Sequence, residues 1–169
     1  MAALFAASHA RLAGLAAFVL GSIAILGALA SEHIWGLVPC TLCLEQRIPY
    51  YWGLPILLLV LLLWARLPRL VRALALGLVV LLFAWGTGLG VYHAGVEWGF
   101  WPGPTSCTGT GAAISFDDLN NINAARIVPC DQVQFRFLGL SLAGYNALVA
   151  LGVTLLSGIA LVLGLRRNA

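Results

Sequence analysis

The chain is divided into long apolar runs and short polar segments. A helix needs about 20 mostly apolar residues to cross the hydrocarbon core of a bilayer. Four runs approach or reach this length, at residues 12–30, 48–65, 70–92 and 141–163. Because lipid offers the backbone no hydrogen-bond partner, each run is predicted to be helical. The pattern therefore predicts an all-α membrane protein, a single domain built as a bundle of four transmembrane helices.

The first run has a second interpretation. Arg11, the apolar stretch and Ala28-Leu29-Ala30 resemble a secretory signal peptide with its cleavage site. The apolar regions of signal peptides contain about 7–15 residues, and this run is longer. We therefore favour a retained first helix.

The composition agrees with the membrane interpretation. Hydrophobic residues make up 62% of the 169 residues and charged residues 9%, whereas soluble proteins carry about 25% charged residues. Mean hydropathy is +0.98. These values exclude a soluble enzyme and a disordered chain. The net charge of +3 does not indicate a nucleic-acid partner, because membrane orientation explains the arginines.

The charged residues are segregated between the two sides of the predicted bundle. One side has no acidic residue and carries six of the nine arginines: Arg11, Arg66, Arg69, Arg72, Arg166 and Arg167. The other side carries all six acidic residues: Glu32, Glu45, Glu97, Asp117, Asp118 and Asp131. The positive-inside rule then places both termini and the middle turn in the cytoplasm. A short loop at about 31–47 and a long loop at about 93–140 face outward, which in a bacterial inner membrane is the periplasm.

All four cysteines lie in these two outer loops. Cys40 and Cys43 are in the short loop, and Cys107 and Cys130 are in the long loop. The bacterial periplasm is oxidising, so disulfides persist there. Four cysteines allow three pairings, and the sequence alone does not choose among them.

Cys40-Thr41-Leu42-Cys43 has the spacing of a redox-active cysteine pair. The start of the following helix, and Arg47 four residues after Cys43, would both stabilise a thiolate. Two structural interpretations compete with redox chemistry. Half a zinc site would need two more ligands, and a structural bridge would close too small a loop to stabilise the fold much. We favour redox activity.

Arg47 and His93 are candidate quinone-binding residues. Arg47 stands at the outer edge of the second helix, where a charge is costly and marks a functional site by default. The alternative is an arginine that extends to the headgroups. A cation beside a thiolate suits a membrane-soluble acceptor that becomes anionic on reduction, such as a quinone. His93 ends the third helix on the same side, and is either a proton-handling or quinone-contacting group or a polar helix terminus.

Cys107 and Cys130 enclose 22 residues. Closing such a loop would stabilise the fold by about 3 kcal/mol, which favours a structural disulfide. The loop is rich in glycine and proline, however, and an exposed disulfide in an irregular loop is open to attack by another protein's thiol. Residues 114–122 are predicted to form a short helix on the membrane surface.

Two further segments have structural interpretations. Gly86, Gly88 and Gly90 on the third predicted helix indicate close helix packing. Residues 135–141, which lead into the fourth helix, are predicted to lie at the membrane interface.

Together these features resemble the DsbB family of disulfide bond formation proteins. The resemblance rests on four helices, on Cys40-x-x-Cys43 followed by Arg47, on a second cysteine pair in the long outer loop, and on Phe137-Leu138-Gly139-Leu140-Ser141 after Cys130. It covers nearly the whole chain, and the joint pattern is far more specific than the CxxC motif alone.

The resemblance implies an electron route. A thiolate of a reduced DsbA-type periplasmic thiol oxidase would attack Cys107, and resolution would leave Cys107 and Cys130 reduced. These two would pass electrons to Cys40 and Cys43, and Cys43 would pass them to ubiquinone or menaquinone. Arg47 would assist the quinone, and the family's histidine contact would fall on His93. We expect no metal at the site, and the composition excludes a nucleic-acid binder.

Two other classes of protein share part of the pattern. A vitamin-K-epoxide-reductase-like quinone reductase also combines four helices with a CxxC, but carries that motif in its last helix. A non-catalytic membrane protein with disulfide-stapled outer loops is the second alternative. Trapping a mixed disulfide with a partner would separate this alternative from an enzyme.

Overall fold

The chain forms four long helices, one short helix and a two-stranded hairpin in a computed structural model that describes residues 2–104 and 128–166, with side chains from residue 8. The elements are α1 (Ala2–His33), α2 (Thr41–Glu45), α3 (Ile48–Leu62), α4 (Arg69–Glu97), β1 (Arg136–Phe137), β2 (Leu140–Ser141) and α5 (Leu142–Arg166). The described residues are mostly helical, as predicted, and the hairpin of β1 and β2 was not predicted. The surface helix predicted at residues 114–122 lies outside the described residues.

The four long helices pack into one bundle. Helix α5 packs against α1 and α4, and α3 packs against α4 and α1. The centre is filled by Leu57, Val79, Phe83 and Val153, which are almost fully buried. Many leucines on the outward faces of the same helices are exposed, as expected for surfaces that face lipid rather than water.

Three of the described helices are long and apolar enough to cross a membrane: Ser8–His33, Arg69–Glu97 and Leu142–Arg166. Helix α3 has 15 residues, a length of about 22 Å at about 1.5 Å per residue. It ends at Leu62 rather than at the predicted residue 65, because Leu63 leaves the helical conformation with φ −96° and ψ 15°. The fourth crossing therefore does not follow from helix length alone.

Helix α4 extends beyond its predicted end. The prediction stopped at residue 92, whereas the helix continues to Glu97. His93 is therefore not a helix terminus but lies one turn inside the helix, and its side chain is buried.

Two of the three α4 glycines for which close packing is predicted bring helices into close contact. A Cβ on Gly90 would lie 2.8 Å from Ala147 Cα, and one on Gly86 would lie 3.0 Å from Pro49 Cγ. A Cβ on Gly88 would meet open space. The packing interpretation is confirmed for Gly86 and Gly90 and is wrong for Gly88.

The segment before α5 is a tight hairpin in which Arg136 pairs with Ser141 and Phe137 with Leu140. Leu138 and Gly139 form its turn with φ values of +48° and +82°. Type I′ hairpin turns require positive φ at both central positions, and a leucine is unusual there. Leu138 is also 87% exposed, which is consistent with the predicted place of this segment at the membrane interface.

Two arginines form hydrogen bonds at the end of the bundle that contains the α3–α4 turn. Arg72 is buried, donates to the Trp64 carbonyl at 2.9 Å, and places its guanidinium 4.9 Å from the centre of the Trp64 ring. Arg69 donates to the Leu165 carbonyl in the last turn of α5. These two arginines thus link the ends of neighbouring helices, in addition to any role in orienting the chain in the membrane.

Candidate active site

Three of the four cysteines meet at one end of the bundle. Cys40 and Cys43 are free, and their sulfurs are 2.7 Å apart. Cys130 is disulfide-bonded, and its Sγ, the Cys40 Sγ and a ring nitrogen of His93 all lie within 4.8 Å of one another. Cys107 lies outside the described residues. The structure therefore combines a reduced Cys40–Cys43 pair with a disulfide at the neighbouring cysteine.

The backbone around the pair turns before the second predicted helix begins. Cys40 is extended and caps the single-turn helix α2, with its Sγ accepting from the Cys43 backbone N–H at 3.3 Å. The chain then turns at Gln46 and Arg47 before α3 begins at Ile48. Cys43 and Arg47 are consequently in different elements, so the i,i+4 relationship of one helix does not apply to them.

The pKa values of the two thiols are shifted in opposite directions. The hydrogen bond from Cys43 lowers the pKa of Cys40 to about 5, with a further contribution from His93, although burial opposes ionisation. The same hydrogen bond raises the pKa of Cys43, because this thiol supplies the shared proton, and burial adds to the effect. The reduced pair therefore holds its negative charge on Cys40 and its proton on Cys43.

Arg47 acts on the pair at longer range. Its guanidinium donates to the Glu32 carboxylate at the end of α1. Burial works against its charge, but the bond to Glu32 raises the pKa of Arg47. Its field lowers the pKa of Cys43, although less than the other groups raise it. Arg47 is thus a charged residue fixed beside the cysteine pair, not a direct partner of either sulfur.

His93 joins the cysteines to a buried polar network. Its Nε2 lies 3.7 Å from Cys40 Sγ and 3.2 Å from the Cys130 carbonyl oxygen. Its Nδ1 lies 2.6 Å from Gln46 Nε2. On the same helix, Glu97 places a carboxylate oxygen 3.9 Å from Nε2 and accepts from the Ser141 hydroxyl.

The network continues across the bundle from Gln46. The Asn146 side-chain amide donates to Gln46 Oε1 at 2.6 Å, and the Tyr50 hydroxyl donates to Asn146 Oδ1 at 2.7 Å. These side chains come from the α2–α3 turn, α5 and α3, so the polar chain links three parts of the fold. Burying polar side chains costs free energy unless they are hydrogen-bonded to each other. Polar residues inside a membrane protein usually mark a functional site, so we expect this network to have a function.

A cavity of about 690 Å³ opens beside the network. Its walls are mostly apolar side chains of α1, residues 35–39 and α5, and its polar lining includes Cys40, Cys43, Arg47, Asn146 and His93. Pockets of about 300–1,000 Å³ with an apolar wall and a few convergent polar groups are typical of small-molecule sites. The cavity thus brings four predicted site residues to one apolar chamber.

Cys40, His93 and Cys130 also have the spacing of a metal-ligand cluster. Because Cys130 is disulfide-bonded, only Cys40 and His93 of the three offer ligand atoms in this state. Redox chemistry is therefore the better account of the cluster.

Sequence reasoning missed Gln46, Tyr50, Asn146 and Glu97. Asn146 was detectable in principle, because it interrupts an apolar run and a strongly polar residue within a membrane span is a functional signal. The sequence identifies Glu97 only as an acidic residue of the outer side, because the predicted third helix ends before it. No local pattern connects Gln46 with His93, which is 47 residues away.

A family model described as disulfide bond formation protein DsbB matches residues 10–160. Neither the curated proteins nor the solved structures include a significant match.

Proposed function

The chain belongs to the DsbB family of membrane disulfide bond formation proteins, and from this premise we propose that it reoxidises a DsbA-type periplasmic thiol oxidase and delivers the electrons to a respiratory quinone. The observation that carries the proposal is the meeting of Cys40, Cys130 and His93 within 4.8 Å. Two cysteine pairs that must exchange electrons need this proximity, since thiol–disulfide exchange proceeds by direct attack of one sulfur on another.

The proposed route begins in the long loop. A thiolate of the reduced oxidase attacks Cys107 of a Cys107–Cys130 disulfide, and the electron pair of the broken bond leaves on Cys130. The second thiol of the oxidase then displaces Cys107, which releases the oxidase as a disulfide. The Cys130 thiolate attacks Cys40 of the oxidised inner pair and frees Cys43. Finally Cys107 attacks Cys130, which restores the outer disulfide and leaves Cys40 and Cys43 reduced.

The structure corresponds in this scheme to the stage after the internal transfer. Cys130 is in a disulfide, and the inner pair carries both electrons as a thiolate on Cys40 and a thiol on Cys43. The inner pair at this stage needs an acceptor, and the adjoining cavity is where we place it.

The cavity fits a quinone. Its walls are apolar, its volume of about 690 Å³ suits a ring and the start of an isoprenoid tail, and its polar residues lie beside the inner cysteines. A quinone bound there would supply an acceptor for two electrons and two protons. Arg47 would hold a fixed positive charge near the ring, and His93 would form part of the polar wall beside Cys40. The choice between ubiquinone and menaquinone does not follow from these residues.

The proposed orientation follows the arginines. Both termini and the α3–α4 turn would face the cytoplasm, and the cysteine end of the bundle would face the periplasm. Helix α3 would complete four crossings, with the α2 segment at the membrane surface. This arrangement would give the outer cysteines access to an aqueous protein partner and the inner pair access to the membrane quinone pool.

The test combines the purified protein, a reduced thioredoxin-like oxidase and a quinone, with quinone absorbance as the measurement. We expect one quinone to be reduced for each disulfide formed in the oxidase. Cys43→Ser should abolish quinone reduction. Unchanged absorbance with the intact protein would favour the non-catalytic alternative, in which the disulfides only staple the loops.

A further inference from the structure

We propose that Gln46 is a positioning residue that holds His93 in the tautomer with its proton on Nε2, so that His93 donates a hydrogen bond to the Cys40 sulfur; the functional part of this inference rests on the function proposed above. Neither Gln46 nor Asn146 belongs to a motif that the sequence alone identifies. The inference comes from the directions of the hydrogen bonds that surround one amide group.

The orientation of the Gln46 amide is fixed from two sides. Its Nε2 lies 3.2 Å from the Leu42 carbonyl oxygen, which can only accept a hydrogen bond. Its Oε1 receives the Asn146 amide N–H at 2.6 Å. A flipped amide would bring two oxygens together at Leu42. The –NH2 group of Gln46 must therefore point toward Leu42 and His93.

The Gln46 orientation determines the tautomer of His93. Gln46 Nε2 lies 2.6 Å from His93 Nδ1, and an amide –NH2 is only a donor. His93 Nδ1 must then present its lone pair, so the proton of the neutral ring is on Nε2. The Nε2–H faces Cys40 Sγ at 3.7 Å and the Cys130 carbonyl oxygen at 3.2 Å.

Asn146 is anchored in its turn. The Tyr50 hydroxyl donates to Asn146 Oδ1 at 2.7 Å, and the Asn146 –NH2 group faces Gln46. Because a hydroxyl can donate or accept, the direction of these bonds is imposed by the Leu42 carbonyl through Gln46 and not by Tyr50. A chain of fixed donors across α3, α5 and α4 leaves a single N–H at the redox-active sulfur.

This donor acts on one step of the proposed route. When Cys107 attacks Cys130 in the Cys40–Cys130 mixed disulfide, the bond between Cys130 and Cys40 breaks and its electron pair leaves on Cys40. A thiolate that is stabilised by a hydrogen bond is a better leaving group. Gln46 does not touch the reacting sulfurs, and it acts only by keeping the Nε2–H of His93 in place.

The experiment measures the tautomer without any quinone. The full chain, labelled with ¹⁵N-histidine and kept reduced in detergent, is examined by two-bond ¹H–¹⁵N correlation spectra, which distinguish Nδ1–H from Nε2–H rings. The signals of His93 are those missing from His93→Gln. We expect the Nε2–H form in the unaltered protein. An Nδ1–H ring there would overturn the proposal, whatever the protein's activity.

Two variants and a control test the cause. Gln46→Leu should leave a mixture of tautomers, and Gln46→Glu should protonate Nδ1, because a carboxylate accepts where the amide donated. Gln132→Leu removes an exposed glutamine amide and should leave the spectrum unchanged. Weakening the bond to Cys40 should also slow its alkylation at pH 4 by about tenfold in Gln46→Leu, equivalent to about one pKa unit.

The outcomes separate this inference from the proposed function. An unchanged tautomer and alkylation rate in Gln46→Leu would refute the role of Gln46 and leave quinone reduction untouched. Failure of the intact protein to reduce quinone, with the expected tautomer present, would refute the proposed function and leave the positioning role of Gln46 standing.

Discussion

At the scale of single residues, the acidity of Cys40 gives a direct prediction. Its pKa is lowered from 9.0 to about 5, first by the hydrogen bond from Cys43 and then by His93, against the cost of burial. A lowered pKa keeps the thiolate present at neutral pH and loses it only as the pH falls through about 5. Alkylation of Cys40 in the reduced protein, located by mass spectrometry, should therefore be half-maximal near pH 5.

Cys43 provides the internal control for this measurement. Its pKa is raised because it retains the shared proton, so it should remain poorly reactive across the same pH range. Half-maximal alkylation of Cys40 near pH 9, or equal reactivity of both thiols, would show that the hydrogen bond between them does not set their acidity.

A second prediction concerns the charge of Arg47. Arg47→Ala should raise the KM for quinone by about tenfold or more, because a hydrogen bond or contact with a charged group contributes about 1.5–3 kcal/mol. Arg47→Lys should recover part of the loss, since a lysine keeps the charge without the planar guanidinium. Initial rates at several quinone concentrations give the measurement.

Glu32 separates the charge of Arg47 from its ion pair. The two side chains are bonded to each other, so Arg47→Ala removes the pair as well as the cation. Glu32→Gln removes the pair and keeps the cation, and it should change the KM far less. Equal effects of the two substitutions would assign the loss to the ion pair and contradict direct assistance to the quinone.

The cysteine order gives a third prediction. Cys130→Ser mixed with the oxidised oxidase should form a covalent complex through Cys107, because the free Cys107 thiolate attacks the oxidase's disulfide and no Cys130 thiol remains to displace the oxidase from Cys107. Cys43→Ser should instead oxidise one equivalent of the oxidase and then stop. Non-reducing gels distinguish these results, and equal trapping in both variants would contradict the order.

At the scale of elements, Gly88 and Gly90 form a matched pair on α4. Both replacements by alanine remove the helical penalty of glycine, about 1 kcal/mol. Gly90→Ala places its Cβ 2.8 Å from Ala147 Cα and should separate α4 from α5, whereas Gly88→Ala meets open space. We expect Gly88→Ala to raise the thermal midpoint and Gly90→Ala to lower it, in detergent melts of the reduced protein. The same sign for both would show that this contact yields without cost.

The elements also show what the sequence predicts and what it does not. The apolar runs identify the four long helices, because burial in lipid imposes a strong and continuous pattern. The ends are less certain, since Leu63 leaves the helix in an apolar stretch and α4 continues through His93 to Glu97. The pairing of Gln46 with His93 and Asn146 is set by tertiary packing across 47 and 100 residues, for which no local pattern exists.

At the scale of the whole molecule, the two ends of the bundle have different chemistry. One end gathers Cys40, Cys43, Cys130 and the cavity, and the other gathers arginines that bind the helix ends together. The proposed function needs the first end in an oxidising compartment. Orientation in the membrane is therefore a condition for activity, not only a feature of assembly.

Orientation gives the last prediction. A reporter that is active only in the periplasm should be active when fused after Gly111 and silent when fused after Arg69, because arginine-rich short loops resist translocation.

The hydrogen bonds of the arginines determine which of them can be used to test the effect of charge on orientation. Arg69 and Arg72 bond to the bundle, so neutralising them would disturb packing as well as charge. Arg11 and Arg66 are exposed, and replacing both with glutamine should reduce the Gly111 signal and increase the Arg69 signal. Arg136→Gln removes an arginine from the opposite end, and should change neither signal. Equal loss of signal from both kinds of variant would indicate lower expression rather than reversed topology, and an unchanged ratio in the double variant would remove Arg11 and Arg66 as its determinants.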